Sequence, residues 1–243
     1  MTNELAHQFV SDTSVSSQEF RTLRNNLSLQ TSRHDVSVLL ITSATAGEGK
    51  SYVTANLAAS FAVEGKRTLL VEGNLHRPIL AAVFDLQPNK GLSSLIGADA
   101  ASVKAYDLII ETKIQKLTVA PAGESLADPA TLLAGSAFKA FLDQVKDKFD
   151  VVLIDGPAMA DASEAGLIAE LANGVVVVAK ADGPSKRDVA QTIAQVRQLP
   201  AALIGTVLNQ PSVETWKRNG FTAETMRRWV HKGNRRMMLW LFI

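Results

Sequence analysis

The chain has 243 residues, 47% of them hydrophobic and 20% charged, which suits one soluble domain with a substantial core. Its net charge of +1 gives no bulk sign of nucleic acid or membrane, so any such signal is local. Cysteine is absent, which excludes disulfides and thiol catalysis, and four unclustered histidines argue against structural zinc.

Residues 1–17 are polar and rich in Ser and Thr, and read as a flexible lead-in. They carry no basic stretch followed by an apolar core, and no apolar run approaches the roughly 18 residues that span a bilayer. The chain is therefore expected to be neither exported nor membrane-spanning. A helix follows, with Phe20, Leu23, Leu27 and Leu29 as its apolar face and Arg21 and Arg24 on another side. Val38 to Ile41 is an apolar strand that breaks into small and Gly residues, after which helical spacing resumes and ends near Gly65. Thr68 to Val71 is a second buried strand, and its carboxyl end delivers Glu72, Asn74 and Arg77.

Leu92 to Leu95 reads as a short helical piece and Leu117 to Ala120 as a weaker strand. Asp128-Pro129 opens a helix with N-cap and N1 chemistry that continues through Leu132, Phe138, Phe141, Leu142 and Val145. Phe149 to Asp155 is an apolar strand ending in a carboxylate. Gly174 to Ala179 and Ala202 to Leu208 are further strands, separated by a helix from about Lys186 to Gln198. This alternation predicts an α/β fold, a mostly parallel sheet with helices on both faces and ligands at the strands' carboxyl ends.

The chemistry concentrates between Val38 and Leu57. Ala44-x-x-x-x-Gly49-Lys50-Ser51, set between a strand and a helix, fits the phosphate-binding Walker A pattern with Ala for the first Gly. Gly47 and Gly49 let successive backbone N–H groups close around a polyphosphate, and the helix N-terminus adds its dipole. Lys50 supplies a point charge and the Ser51 hydroxyl a ligand for Mg²⁺. Ala46, Gly47, Glu48, Gly49, Lys50, Ser51 and Tyr52 thus form the candidate cofactor-binding stretch for ATP or ADP. Asp155, after four apolar residues and before Gly156-Pro157, is either a Walker B carboxylate for Mg²⁺ or a turn carboxylate; the upstream phosphate loop favours the metal.

These motifs carry a family resemblance. Phe20-Arg21-Thr22-Leu23-Arg24, Gly47-Glu48-Gly49-Lys50-Ser51, Leu75-His76-Arg77-Pro78, Pro121-Ala122-Gly123, Leu132-Leu133 and Phe149 to Pro157 occur in the order seen in bacterial tyrosine kinase (BY-kinase) domains of capsular and exopolysaccharide biosynthesis. The resemblance spans roughly Gln18 to Gln210. It implies a P-loop NTPase fold of the deviant Walker (MinD/ParA-like) class. Sister ATPases of that class carry a signature lysine where this chain has Thr45, which favours the kinase branch. The resemblance also implies roles for Lys50, Glu72 and Asp155 in catalysis, for Ser51, Asp155 and Glu72 at the metal, and for Asn209 in reading adenine. Asn209 reads equally as a turn residue. Arg77 is either an interface or phosphate arginine or a surface one, and Asp161 either a switch residue or a helix cap.

Several positions depart from the family. Its Walker A′ motif has two aspartates where this chain has Glu72 and Asn74. Glu extends the carboxylate by a methylene, roughly 1.5 Å of reach, and misplacement on that scale costs about 10²-fold in rate; Asn74 takes no proton. The tyrosine-rich tail that is the family's autophosphorylation substrate has no counterpart, since Tyr52 and Tyr106 are the only tyrosines. The helix motif that assembles rings in relatives begins here with Gln18 rather than Glu.

Residues 214–243 lie outside the resemblance and combine Lys217, Arg218, Arg227, Arg228, Lys232, Arg235 and Arg236 with Trp216, Phe221, Trp229 and a terminal MMLWLFI. This helix-compatible tail reads either as an in-plane anchor on anionic lipid or as a stretch packed on the domain or a partner. Residues 18–213 form the expected nucleotide-binding domain. The implied function is a weak ATP-dependent tyrosine kinase, cytoplasmic and peripheral at the inner face of the membrane. It would form a homo-oligomer, bind no nucleic acid, and work with a membrane polysaccharide co-polymerase as activator. The alternatives are a catalytically impaired regulator or scaffold of that pathway and a positioning ATPase.

Overall fold

The computed structural model describes residues 15–34, 37–96, 103–160, 163–181, 183, 185–209 and 238–241. In chain order these form α1 (Val15–His34), β1 (Val38–Ser43), α2 (Lys50–Val63), β2 (Thr68–Glu72), α3 (Leu80–Val83), β3 (Ile110–Glu111) and β4 (Leu117–Ala120). The remainder are α4 (Pro129–Ala134), α5 (Ser136–Val145), β5 (Val151–Asp155), α6 (Glu164–Leu171), β6 (Gly174–Lys180), α7 (Lys186–Val196), β7 (Ala202–Asn209) and β8 (Met238–Leu241). Leu92–Leu95 is a short 3₁₀ turn, as is Ala105–Leu108.

The strands make one sheet in the order β3-β4-β2-β5-β1-β6-β7-β8. Its six central strands run parallel, and β3 and β8 add antiparallel edges. Apolar runs without alternation form these central strands because both faces are covered. Leu40, Val71, Ile154 and Val177 pack with Leu132, Phe138, Phe141 and Ile168 on one side. Leu39, Ile41, Leu70, Leu153 and Val176 pack under α1 and α2 on the other.

Several expectations need correction. Phe20, Leu23 and Leu27 are buried against α2, but Leu29 is 62% exposed, because two residues past Leu27 is roughly 200° around a helix. Helix α1 opens at Val15 and so takes up the end of the expected lead-in; residues 1–14 lie outside the described residues. The helix expected from Asp128 to Val145 is two helices. Asp128 caps the first, its Oδ1 accepting from Ala130 N at 3.1 Å, and Gly135 separates them with extended backbone, φ −75° and ψ 156°. The chain end is not helical where it is described. Met238–Leu241 pairs antiparallel to β7, with Met238 opposite Asn209 and Leu241 opposite Thr206. Residues 210–237, with the whole basic cluster, and 242–243 lie outside the described residues. No helix among the described residues is long and apolar enough to cross a membrane.

Candidate functional site

The candidate residues meet at the carboxyl ends of β1, β2, β5 and β7. Strand β1 ends at Ser43, and the loop to α2 turns on Gly47 (φ 78°) and Gly49 (φ 87°), left-handed conformations that L side chains resist. Gly49 is constrained twice, since a Cβ there would lie 2.1 Å from Asn209 Nδ2. Lys50 opens α2 as a buried side chain, and its Nζ donates to Ser43 Oγ at 3.0 Å, which donates in turn to Thr45 O at 2.6 Å. The ammonium is thus folded back over the loop, where phosphate oxygens would replace the weaker hydroxyl partner.

Strands β2 and β5 are adjacent, and their register sets Glu72 directly beside Asp155. Both carboxylates are buried, and each leaves one oxygen, Glu72 Oε1 and Asp155 Oδ2, without a partner. Burial pushes the Asp155 carboxyl up to about 6, against the Ser51 hydrogen bond, the Lys50 charge and Thr54. Burial and then the Asp155 charge push Glu72 up to about 8, partly offset by the backbone N–H groups of Leu80 and Ile79. Two adjacent buried carboxylates with orphaned oxygens cost the fold several kcal/mol unless a cation or protons neutralise them. The Ser51 hydroxyl bonds to Asp155, so the set fits a divalent cation. Among the described residues no three acidic or histidine side chains could hold a metal, so the cation would complete its shell with ligand oxygens and water, as Mg²⁺ prefers.

Three comparisons bear on this arrangement. The family described as AAA domain matches residues 36–206. The putative tyrosine-protein kinase CapB of Staphylococcus aureus is 30% identical over 201 residues, 83% of this chain and 87% of that one. The crystal structure of the chimerical protein CapA2B2 superimposes with a TM-score of 0.76 at 30% identity, covering 84% of this chain and 89% of that one. This chain belongs to the bacterial tyrosine-kinase family. The septum site-determining protein MinD of Pyrococcus horikoshii, solved with Mg-ADP, shares the fold alone, with a TM-score of 0.60 at 23% identity over 70% of this chain and 68% of that one.

Within this BY-kinase fold the remaining candidates are placed as follows. Glu72 Oε2 accepts from Ile79 N at 2.8 Å and Leu80 N at 2.7 Å, so one oxygen holds the turn into α3 and only the other faces no donor. Asn74 is half-buried two residues on. Asn209 is buried, and its Nδ2 donates to Glu48 O at 2.9 Å, which places it against the phosphate loop. Tyr52 stacks edge-on to Phe20 with ring centroids 5.9 Å apart, so its ring ties α1 to α2. Ala46 and Gly47 are exposed at the loop crest, whereas Glu48 turns inward. Arg77 is exposed, and Asp161 lies outside the described residues.

Arg24 of α1 bonds within the chain: Nη1 donates to Ser60 O at 3.1 Å and Nε pairs with Glu64 at 3.1 Å. Sequence reasoning missed Ser43 and Thr54, the latter donating to Asp155 Oδ1 at 3.4 Å. The pair of hydroxyl residues, Thr42 and Ser43, that closes the apolar β1 was the available signal for Ser43. Nothing local marked the Ile79 and Leu80 amides or the His76 Nε2 to Glu164 Oε1 contact of 2.8 Å.

Proposed function

We propose that this chain binds ATP or ADP with Mg²⁺ and acts as a tyrosine-kinase-like protein of capsular or exopolysaccharide biosynthesis, with weak phosphotransfer. The observation that carries the reading is the convergence of Lys50, Ser51 and the orphaned oxygens of Glu72 and Asp155 at one rim of the sheet. The loop amides would cradle the phosphates, Lys50 would hold charge on the outer two, and Ser51, Asp155 and Glu72 Oε1 would hold the cation. Mg²⁺, when bound, neutralises charge building on the transferred phosphoryl group. Asn209 keeps capacity toward the adenine edge beyond the N–H it gives to the loop. Weak transfer follows from Glu72, half committed to Ile79 and Leu80, and from the neutral Asn74.

A separately encoded membrane co-polymerase is the proposed activator; that a solved relative is a chimera, CapA2B2, accords with a two-part system. Self-assembly and membrane contact through the basic tail belong to the same reading. A second reading, a nucleotide-dependent scaffold without transfer, is favoured by the same commitment of Glu72. Incubation with labelled ATP and Mg²⁺, with and without the membrane partner, separates the readings. Label on tyrosine supports the kinase, free phosphate alone a positioning ATPase, and bound but unreacted nucleotide the scaffold. Absence of any binding overturns all three.

A further inference from the structure

We propose that Glu48 is a positioning residue, whose buried carboxylate braces the phosphate loop and ties it to the ends of β6 and β7. The proposal rests on the nucleotide reading above and assigns the side chain a task separate from touching phosphate. A negative charge inside a loop that receives an anion is opposite to what binding needs, and Glu48 resolves this by turning away. It is 1% exposed, while Ala46 and Gly47 beside it are open to solvent.

Three donors converge on it. Oε1 accepts from Thr45 N at 2.6 Å and Thr45 Oγ1 at 3.2 Å, and Oε2 accepts from Lys180 N, the last residue of β6, at 3.1 Å. Its own carbonyl accepts from Asn209 Nδ2 at 2.9 Å, and Asn209 O accepts from Ala181 N at 2.8 Å. These contacts close a ring through Glu48, Lys180, Ala181 and Asn209 that laces the loop to two strand ends.

Only glutamate fills this position. The donors require two acceptor oxygens, whereas Gln offers one and would point its NH₂ at a backbone N–H, and Asp falls a methylene short. The brace also sorts the loop's amides: Thr45 N is drawn inward to Glu48 and is unavailable to phosphate, which reserves phosphate contact for the amides nearer the crest. Thr45, at the place of the sister ATPases' lysine, thereby has a partner within the loop.

The test uses the full chain as wild type, Glu48→Gln and Thr45→Val, with two readouts. Calorimetry with Mg-ADP and with inorganic pyrophosphate measures the loop's grip. Residue-resolved amide exchange measures the brace without any ligand. Glu48→Gln should lose tenfold or more in affinity for both ligands by a common factor, with exchange accelerated at Thr45 and Lys180 and unchanged through β2 and β5. Thr45→Val, which removes only the hydroxyl donor, should lose about threefold and carries the test if Glu48→Gln does not fold. Binding within twofold of wild type, or unchanged exchange at both amides, overturns the proposal. A wild type that binds neither ligand overturns the nucleotide reading instead, and the exchange measurement still judges the brace.

Discussion

Two buried acidic clusters share one rim of the sheet and are finished in opposite ways. Glu48 has three donors on two oxygens, all supplied by the chain. Glu72 and Asp155, side by side on β2 and β5, each leave an oxygen bare. The first cluster is complete as it stands and serves shape. The second is complete only with something added, and that incompleteness marks where a cation fits.

The comparison breaks most visibly if the incomplete cluster is rebuilt. Glu72→Asp with Asn74→Asp should raise phosphotransfer to an added tyrosine peptide by up to about 100-fold, the scale of a 1 Å correction in geometry. No gain in a folded, nucleotide-binding double variant would separate the bare oxygens from the catalytic defect.

Removing the Lys50 charge that acts on Asp155 comes next. Lys50→Ala should weaken ADP binding by roughly 10- to 100-fold, since a hydrogen bond to a charged group is worth about 1.5–3 kcal/mol. Equal calorimetric affinity in wild type and variant would mean that phosphate does not sit at this loop.

Titration sharpens the contrast further. Glu72 is raised from its usual 4.5 to about 8, so the native chain holds a proton that the unfolded chain has already released. Unfolding then releases protons, and stability should fall as pH rises from about 4.5 to about 8, levelling off above. Glu72→Gln should flatten that fall by on the order of 1–3 kcal/mol, read by denaturant titrations at pH 5 and pH 8 without nucleotide. Parallel curves for the two proteins would refute the incomplete-cluster account.

The smallest effect is a control outside both clusters. Arg24→Ala removes bonds to Ser60 and Glu64 across α1 and α2, and should cost about 1 kcal/mol of stability while leaving ADP affinity unchanged. A matching loss of affinity would show that α1 reaches the site.

What was legible in the sequence follows from how local each cause is. Gly47, Gly49, Lys50 and Ser51 announce themselves because a phosphate loop needs those types at that spacing, and Asp155 because it ends an apolar strand. The parallel sheet was equally plain, since strands covered on both faces are uniformly apolar. The role of Glu48 was not, because its third donor is Lys180 N, 132 positions away. Nor was the division of labour in Glu72, which depends on the amides of Ile79 and Leu80 where the chain enters α3. Leu29 misled because apolarity alone does not fix the angle around a helix, and Gly135 because a glycine inside a helical pattern is often tolerated. The edges β3 and β8 are short, and no residue pattern distinguishes four apolar positions in a strand from the same four in a helix.

The register of β1 has a consequence for synthesis. Val38 pairs with Val152 on one side, and Leu39 with Gly174 on the other, partners that emerge more than a hundred residues after it. At about 5–20 residues per second, the first strand waits roughly 5–30 seconds on the ribosome with both edges open. Such distant pairing slows folding generally. It also means that the loop which follows β1 is made early and finished late: Ser43 and Thr45 are there for Lys50 and Glu48 at once, but Lys180 and Asp155 join them only more than a hundred residues later. Nucleotide therefore finds no finished cradle on the nascent chain until most of it has been translated.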